Sequence, residues 1–600
     1  MSPNRSSLAL AVAAALSLAA CSRQAPVAEP RAEAPRTESK SEASSRDAAS
    51  AVPAPSPPAE PTANHQAARP MMAPAGAAAP LRQERRAQES AESVAMPALQ
   101  ALAPAPVAPP SGPADRLGLN TPTDTEQYAD LTPNPVIAAA EQPVSTFSID
   151  VDTGAYSNVR RFLMQDALPP TDAVRVEELI NYFDYDYPRP ESLAQPFSVH
   201  TEVALAPWNP KRWLLQVGLQ GFEVPFEQLP ASNLVFLLDV SGSMMEPNKL
   251  PLVQTALRLA VEKMRPQDRI AIVVYAGAAG LVLPSTPASE QATILAALNA
   301  LQAGGSTNGG EGIQLAYEVA RQHYVDGGVN RVILATDGDF NVGLVDQQDL
   351  EDLITRQRQT GIALTTLGFG QGNYHDEVAE RLANLGNGNH AYIDTEREAQ
   401  KVLVRELGAN LLTIAKDVKI QVEFNPAVVA EYRLIGYENR LLAREDFNND
   451  AVDAGEIGAG HTVTALYELT PVGSDATRLP PLRYGTPATA ATTAGEVGFL
   501  KLRYKQPEAE QSRLIEQPIA RPARIGAGSA SLRFAAAVAG FGEALRGGKY
   551  LDGWHHADIA TLARAAEGRD PYGLQAEFVD LVERAARLQG KPDGTHQIAR

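Results

Sequence analysis

Residues 233–245, NLVFLLDVSGSMM, run from an apolar segment straight into Asp239, Ser241 and Ser243, one carboxylate and two hydroxyls at alternate positions. Two further stretches carry the same kind of donor in Gly-rich surroundings: Thr307 in GGSTNGG and Asp337 in LATDGDF. All five side chains offer hard oxygen; none offers sulfur or imidazole. That set suits a hard, octahedrally inclined divalent cation, Mg²⁺ before Mn²⁺ or Ca²⁺, which keeps part of its water shell. Hydroxyl ligands bring no charge, so two carboxylates leave such an ion electrophilic toward an incoming anion. The plainer alternative is that Asp239 and Ser241 only cap a helix beginning near Lys249, because Asp and Ser favour turns and N-caps.

Residues so far apart in the chain meet only if the fold brings them together. From 231 to 413, short and nearly continuous apolar runs (LVFLLD, RIAIVVYA, RVILATD, IALTTLGFG, HAYID) alternate with amphipathic stretches such as KLPLVQTALRLAVEKM and GGEGIQLAYEVARQHY. Runs of that kind mark strands covered on both faces by helices, as in a doubly wound, mainly parallel α/β sheet, with GLVLP as an antiparallel edge. Ligands of such sheets bind outside the carboxyl ends of the strands. The stretches LLDVSGS, LQAGGSTNGG and LATDGDFNVG are expected at that rim.

The pattern Asp239-x-Ser241-x-Ser243, then Thr307, then Thr336-Asp337-Gly338, resembles the metal-ion-dependent adhesion site of the von Willebrand factor type A family, in the same chain order. The resemblance implies a Rossmann-like α/β domain in which Ser241, Ser243 and Thr307 bind the ion directly. Asp239 and Asp337 would hold it directly or through water, and a carboxylate from a partner protein would complete the shell. Met244, Met245, Glu246, Asn308, Phe340, Asn341 and Tyr374 are expected to form the partner-contacting loops around the ion. VSTFSIDVDTGAYSNVRRFL, VRVEELINYFDYDYP, REDFNNDAVDAGEIGAGHTVTALYEL and the helical C-terminus extend the resemblance to bacterial type A lipoproteins.

The 600 residues exceed what one core organises, and 44% hydrophobic content is ordinary for globular material. Against 71 acidic residues stand 52 basic ones, a formal charge of −19 that repels phosphate backbones and excludes nucleic acid as a partner class. The single cysteine, Cys21, ends an apolar run too short to span a bilayer. LAAC there resembles a lipobox, which implies acylation of Cys21 and, with Ser22 following, delivery to the outer membrane of a bacterial envelope. Residues 21–125 are Pro- and Ala-rich with few aromatic or β-branched residues, so they read as a disordered tether. No other run of 18 apolar residues occurs, so the chain is expected to be anchored, not spanning.

The expected organisation is therefore a signal at 1–20, the tether at 21–125, an α/β lead-in at 126–195, and strands at 196–230. The type A unit follows at 231–413, a β-sandwich-like module at 414–525 and a helical region at 526–600. Alternating strands of like character before and after the α/β unit point to pairing across it, which makes that unit an insertion in a sandwich.

Weaker candidates have plainer readings. Asp150 and Asp152 lie two apart in SIDVDTG and are either a second cation site or a turn that caps the next helix. Residues 446–457, DFNNDAVDAGEI, alternate Asp446, Asn448 and Asp450 like a calcium loop, but Ala451 and Ile457 stand where Gly and Glu are needed, which favours a polar hairpin loop. His555-His556 lacks a spaced zinc partner. His375 and His390 read as solvated loop histidines, and Glu177-Glu178 and Glu351-Asp352 as solvated helix faces. No G-x-S-x-G elbow or phosphate-binding loop is present. The reading is a metal-dependent binding module and not an enzyme. The alternatives are a metal-assisted hydrolase, for which only Asp339 lies close as a base, and a scaffold with a structural metal.

Overall fold

The computed structural model describes residues 126–338, 347–480 and 495–590. Cys21 with the stretches expected to form a signal and a tether, and Asp339, Phe340 and Asn341, lie outside the described residues.

The apolar runs form a six-stranded sheet. Its spatial order is His390–Ile393, Ala363–Phe369, Val329–Thr336, Ser232–Asp239, Arg269–Tyr275, Ala279–Pro287. All neighbours are parallel except the last pair, where Ala279–Pro287 is the antiparallel edge. Every residue of Ser232–Asp239 and of Val329–Thr336 is buried. Their side chains alternate between two cores, as strand geometry requires. Leu234, Phe236 and Leu238 pack with Val253, Leu257, Ile294 and Leu298, whereas Val235 and Leu237 pack with Ile313, Ala316, Tyr317 and Ile354. Each large side chain so buried contributes about 1.5–3 kcal/mol. Asp239 shares the parity of Val235 and Leu237, so it lies on the face covered by helix Gly309–Gln322. That helix comes close because Gly312 has no side chain: a Cβ there would stand 2.8 Å from Tyr275 Cβ.

Two further five-stranded antiparallel sheets share one core, in which Leu215, Val217, Tyr467 and Leu469 of one sheet meet Phe147, Ile420, Val422 and Leu500 of the other. Strand Asn209–Gly221 pairs with Thr462–Pro471, and Val144–Ser148 with Thr413–Phe424. Segments on either side of the α/β unit thus complete the same sheets, and the unit is an insertion in a sandwich. Helices Ala530–Leu545, His556–Ala566 and Leu574–Gln589 share a further core with Gly154–Met164 and the short helix Val176–Asn181. Among the described residues no helix is long and apolar enough to cross a membrane.

Candidate metal centre

Strand Ser232–Asp239 ends in a tight turn because Asp239 Oδ1 accepts the Ser241 amide at 2.8 Å. Ser241 and Ser243 then place their hydroxyl oxygens 3.0 Å apart. A single 3-10 turn, Gly242–Met245, follows Ser241, and the next α-helix begins at Leu250 with Lys249 at its N-cap; neither has a side-chain cap. The cap reading of Asp239 and Ser241 therefore fails: the carboxylate serves its own turn.

The Thr307 loop is fastened to this turn by two backbone bonds, Gly304 N–H to Val240 O at 2.8 Å and Gly242 N–H to Gly305 O at 3.0 Å. Gly305 has φ +91°, a left-handed conformation that suits glycine. Strand Val329–Thr336 lies alongside in parallel register, with Leu238 opposite Ala335, so Asp337 follows at the same rim. Thr336 Oγ1 accepts the Gly338 amide at 3.1 Å. Thus three segments distant in sequence place their donor-bearing turns at one end of the sheet. Asp239, Ser241 and Asp337 are buried, Thr307 is half-buried and Ser243 is exposed.

The electrostatics of this rim are unbalanced. Among the described residues Asp337 Oδ1 is buried without a hydrogen-bond partner, and Asp239 Oδ2 has no donor beyond the Tyr275 hydroxyl, a costly arrangement for carboxylates. Burial pushes the Asp239 carboxyl up to about 6, against the Ser241 bonds and the Tyr275 hydroxyl that lower it and with the Asp337 charge adding to the rise. Two buried carboxylates beside the hydroxyls of Ser241, Ser243 and Thr307 fit a hard divalent cation.

Lys249 was not singled out from the sequence. Its ammonium donates to Asp337 Oδ2 and to Asn373 Oδ1, both at 2.9 Å, and its side chain is 5% exposed. The stem lies over Gly370, where φ is +79° and a Cβ would stand 2.4 Å from Lys249 Cε. Nothing local in the sequence distinguishes this lysine from an ordinary helix-start residue.

The expected contact loops divide by depth. Met245 is 67% exposed, Glu246 is exposed and Asn308 half-buried. Met244 and Tyr374 are fully buried, which corrects the expectation that they face a partner. Met244 belongs to the core under the rim, and the Tyr374 hydroxyl meets His390 Nε2 at 2.8 Å. His390 is likewise no solvated loop residue: it is buried, with Nδ1 2.9 Å from Thr366 Oγ1. His375 is half-buried just before helix Asp376–Leu385.

Glu177 and Glu178 are fully buried, correcting the solvated-face reading. Their helix is packed between the sandwich and the C-terminal helices, so both its flanks are covered. Glu351 pairs with Arg381 at 2.7 Å and Asp352 is exposed. In 446–457, Asp450 accepts from Arg503 at 3.1 Å and from Ser512 at 2.6 Å, and Asn448 also accepts from Arg503. Those oxygens are engaged by neighbouring strands, in keeping with a polar loop. His555 caps its helix through a capping box, and His556 packs edge-on against Phe541.

Comparison with known proteins gives three adjoining matches. A model described as the von Willebrand factor type A domain matches residues 233–406, one described as von Willebrand factor matches 122–216, and one described as the C-terminal part of the uncharacterized protein YfbK matches 409–588. YfbK of Escherichia coli (strain K12) is 49% identical over 469 residues, 77% of this chain and 81% of that protein. The inter-alpha-trypsin inhibitor heavy chain H3 of Homo sapiens is 24% identical over 257 residues, 40% of this chain and 28% of that one. Among solved structures, a von Willebrand factor type A protein from Catenulispora acidiphila is 15% identical, covers 64% of this chain and 88% of that chain, and superposes with a TM-score of 0.37.

Proposed function

The chain belongs to the same family as YfbK of Escherichia coli and carries a von Willebrand factor type A domain at 233–406, and from that premise we propose that it captures a partner protein through a divalent cation at the sheet rim. Ser241, Ser243 and Thr307 would hold the ion directly, and Asp239 and Asp337 directly or through water. The ion supplies a Lewis-acidic position for a carboxylate of the partner. Met245, Glu246 and Asn308 would frame that carboxylate from the surrounding loops. Mg²⁺ suits the donor set best, with Mn²⁺ or Ca²⁺ able to replace it.

One observation carries this reading: two buried carboxylates, Asp239 and Asp337, come together where the three loops meet, and among the described residues Asp337 Oδ1 has no hydrogen-bond donor and Asp239 Oδ2 has none beyond the Tyr275 hydroxyl. The remaining elements of the proposal are a lipid anchor at Cys21, the tether at 21–125 and a place in the bacterial cell envelope, at the outer membrane. A role in binding needs no acid or base beside the ion, and no observation favours the hydrolase or scaffold alternatives over it.

The test is isothermal titration of the full chain with MgCl₂ and MnCl₂, followed by affinity capture from envelope extract in Mg²⁺ and in chelator. Wild type is expected to bind one ion at the rim and to retain a partner only in Mg²⁺. Asp239→Ala should lose both. Equal capture in chelator, or by Asp239→Ala, overturns the proposal.

A further inference from the structure

Arg440 pairs with both Asp150 and Asp152, and the Asp152 and His390 amides donate to them, so those two acids are occupied by protein groups. A cleft elsewhere presents donors that are not. It measures about 440 Å³ and shares no donor residue with the rim. Four parts of the molecule line it: Thr365 belongs to the α/β unit, His461 to the sandwich, Phe183 follows helix Val176–Asn181, and Tyr572 precedes helix Leu574–Gln589. Clefts of that volume accommodate small molecules.

Arg405, on the wall of this cleft, is a donor the protein leaves unused. It ends Lys401–Arg405, a π-helical turn closed by the Glu406 amide on Lys401 O at 3.0 Å, five residues back. Single π turns among α-helices recur at functional sites. The Arg405 guanidinium carbon lies over the Tyr572 ring, 3.6 Å from its centroid. A guanidinium on an aromatic face keeps its in-plane fork of N–H groups for a carboxylate or phosphate, which it grips with two bonds. Yet Nη1 is buried without an acceptor, and among the described residues Arg405 has no ion pair.

His461 offers a second donor. Its Nδ1 accepts the Gly458 amide at 3.3 Å, so the neutral ring carries its proton on Nε2, and that N–H has no acceptor among the described residues. Burial, joined by the Lys401 and Arg331 charges, lowers His461 to about 4, so the ring stays neutral near pH 7 and sits in a positive field. Arg331 is 4% exposed, donates to Thr365 Oγ1 at 2.7 Å and has no carboxylate within ion-pair distance among the described residues. Glu456, whose charge reaches it from farther off, is itself raised to about 8 by burial. The acids lining the cleft are engaged: Glu406 pairs with Lys401 at 2.9 Å, Glu223 pairs with Arg189, and the exposed Asp184 accepts the Asp186 amide. Arg331 and Arg405 are left as two cations without a paired carboxylate, a charge that an anion would offset.

We propose that this cleft binds a small amphipathic organic anion. Arg405 and the His461 Nε2–H hold its carboxylate or phosphate head, and the half-buried Val224, Phe226 and Val404 on the cleft wall receive its apolar body. The site is separate from the rim and does not depend on what the rim binds.

The probes are sodium octanoate and octyl phosphate, with octan-1-ol as their uncharged counterpart. Each is titrated calorimetrically into the full chain at neutral pH in chelator, so that the rim contributes nothing. At least one of the two anions is expected to bind with a submillimolar Kd, and octan-1-ol about tenfold more weakly or worse, the worth of a charge-assisted bond. Arg405→Met is expected to weaken the anion by a similar factor. Arg405→Lys keeps the charge without the fork, is expected to fall between, and guards against a first variant that fails to fold, which circular dichroism would reveal. Binding of neither anion at millimolar concentration overturns the proposal. Equal affinity for octan-1-ol overturns it as well, as does unchanged anion affinity in the folded Arg405 variants.

Discussion

Lys249 Nζ stands 2.9 Å from Asp337 Oδ2, across 88 residues of chain, and both side chains are buried. The lysine compensates one of the two rim carboxylates and leaves the other Asp337 oxygen without a hydrogen-bond partner among the described residues. Two carboxylates and one ammonium carry a net single negative charge, so a divalent ion there would retain positive charge toward an anionic partner.

Lys249→Met removes that compensation and leaves Asp337 buried and unpaired, a loss of about 3–5 kcal/mol for breaking a buried pair. The variant is expected to be markedly less stable than wild type in chelator and to recover most of the difference in Mg²⁺. Thermal melting with and without metal checks this; a metal-induced shift no larger in the variant than in wild type contradicts it.

Asp239 is raised to about 6 by burial, so metal must displace a proton from it under mildly acidic conditions. Rim affinity for Mg²⁺ is expected to be flat above pH 7 and to fall by up to about tenfold per unit well below pH 6. The folded chain holds this proton more tightly than an unfolded chain does. Without metal, the group's contribution to stability is therefore greatest below the ordinary carboxyl range and is lost as pH rises through about 6. Titrations at several pH values, repeated with Asp239→Asn, check both signs.

Thr307 supplies a hydroxyl on a loop fixed by backbone bonds, so its side chain is not needed for the loop to sit where it does. Thr307→Ala should abolish metal-dependent capture while changing stability by less than about 1 kcal/mol, as for a substitution outside the core. Thr307→Ser keeps the hydroxyl and should retain most binding. Calorimetry and chemical denaturation of the two variants separate site from fold.

Gly370→Ala places a Cβ against the Lys249 stem at a residue with φ +79°. Backbone strain alone costs about 1–3 kcal/mol, and the displaced lysine adds the loss of its Asp337 bond. The expected result is a destabilisation that Lys249→Ala partly relieves in the double variant, measured by a double-mutant cycle.

The α/β sheet was legible because strands covered on both faces need continuous apolar runs, as in LVFLLD and RVILATD. The rim was legible because Asp239, Ser241, Ser243, Thr307 and Asp337 are oxygen donors placed directly after strands or Gly-rich turns. Depth was not. Met244 adjoins Ser243 yet points into the core, and Tyr374 lies in a loop yet fills the space beside Gly338 and Gly368. Periodicity assigns Glu177 and Glu178 to a solvated face, but that inference presumes water on one side of the helix, and neighbouring modules cover both sides. Lys249 and Arg440 act on partners whose closeness arises only from tertiary packing.

The strand pairings across the inserted unit also dictate an order of assembly. Gln421 reaches Thr146 over 275 residues of intervening chain, and Glu468 reaches Trp208 over 260. Closing loops of that length in a loose chain is slow, because the entropy is lost before any distant contact repays it. On a ribosome the sandwich has no second half until the inserted unit has emerged. That unit, built from near-neighbour β-α-β crossovers, is positioned to condense first and draw the two halves together.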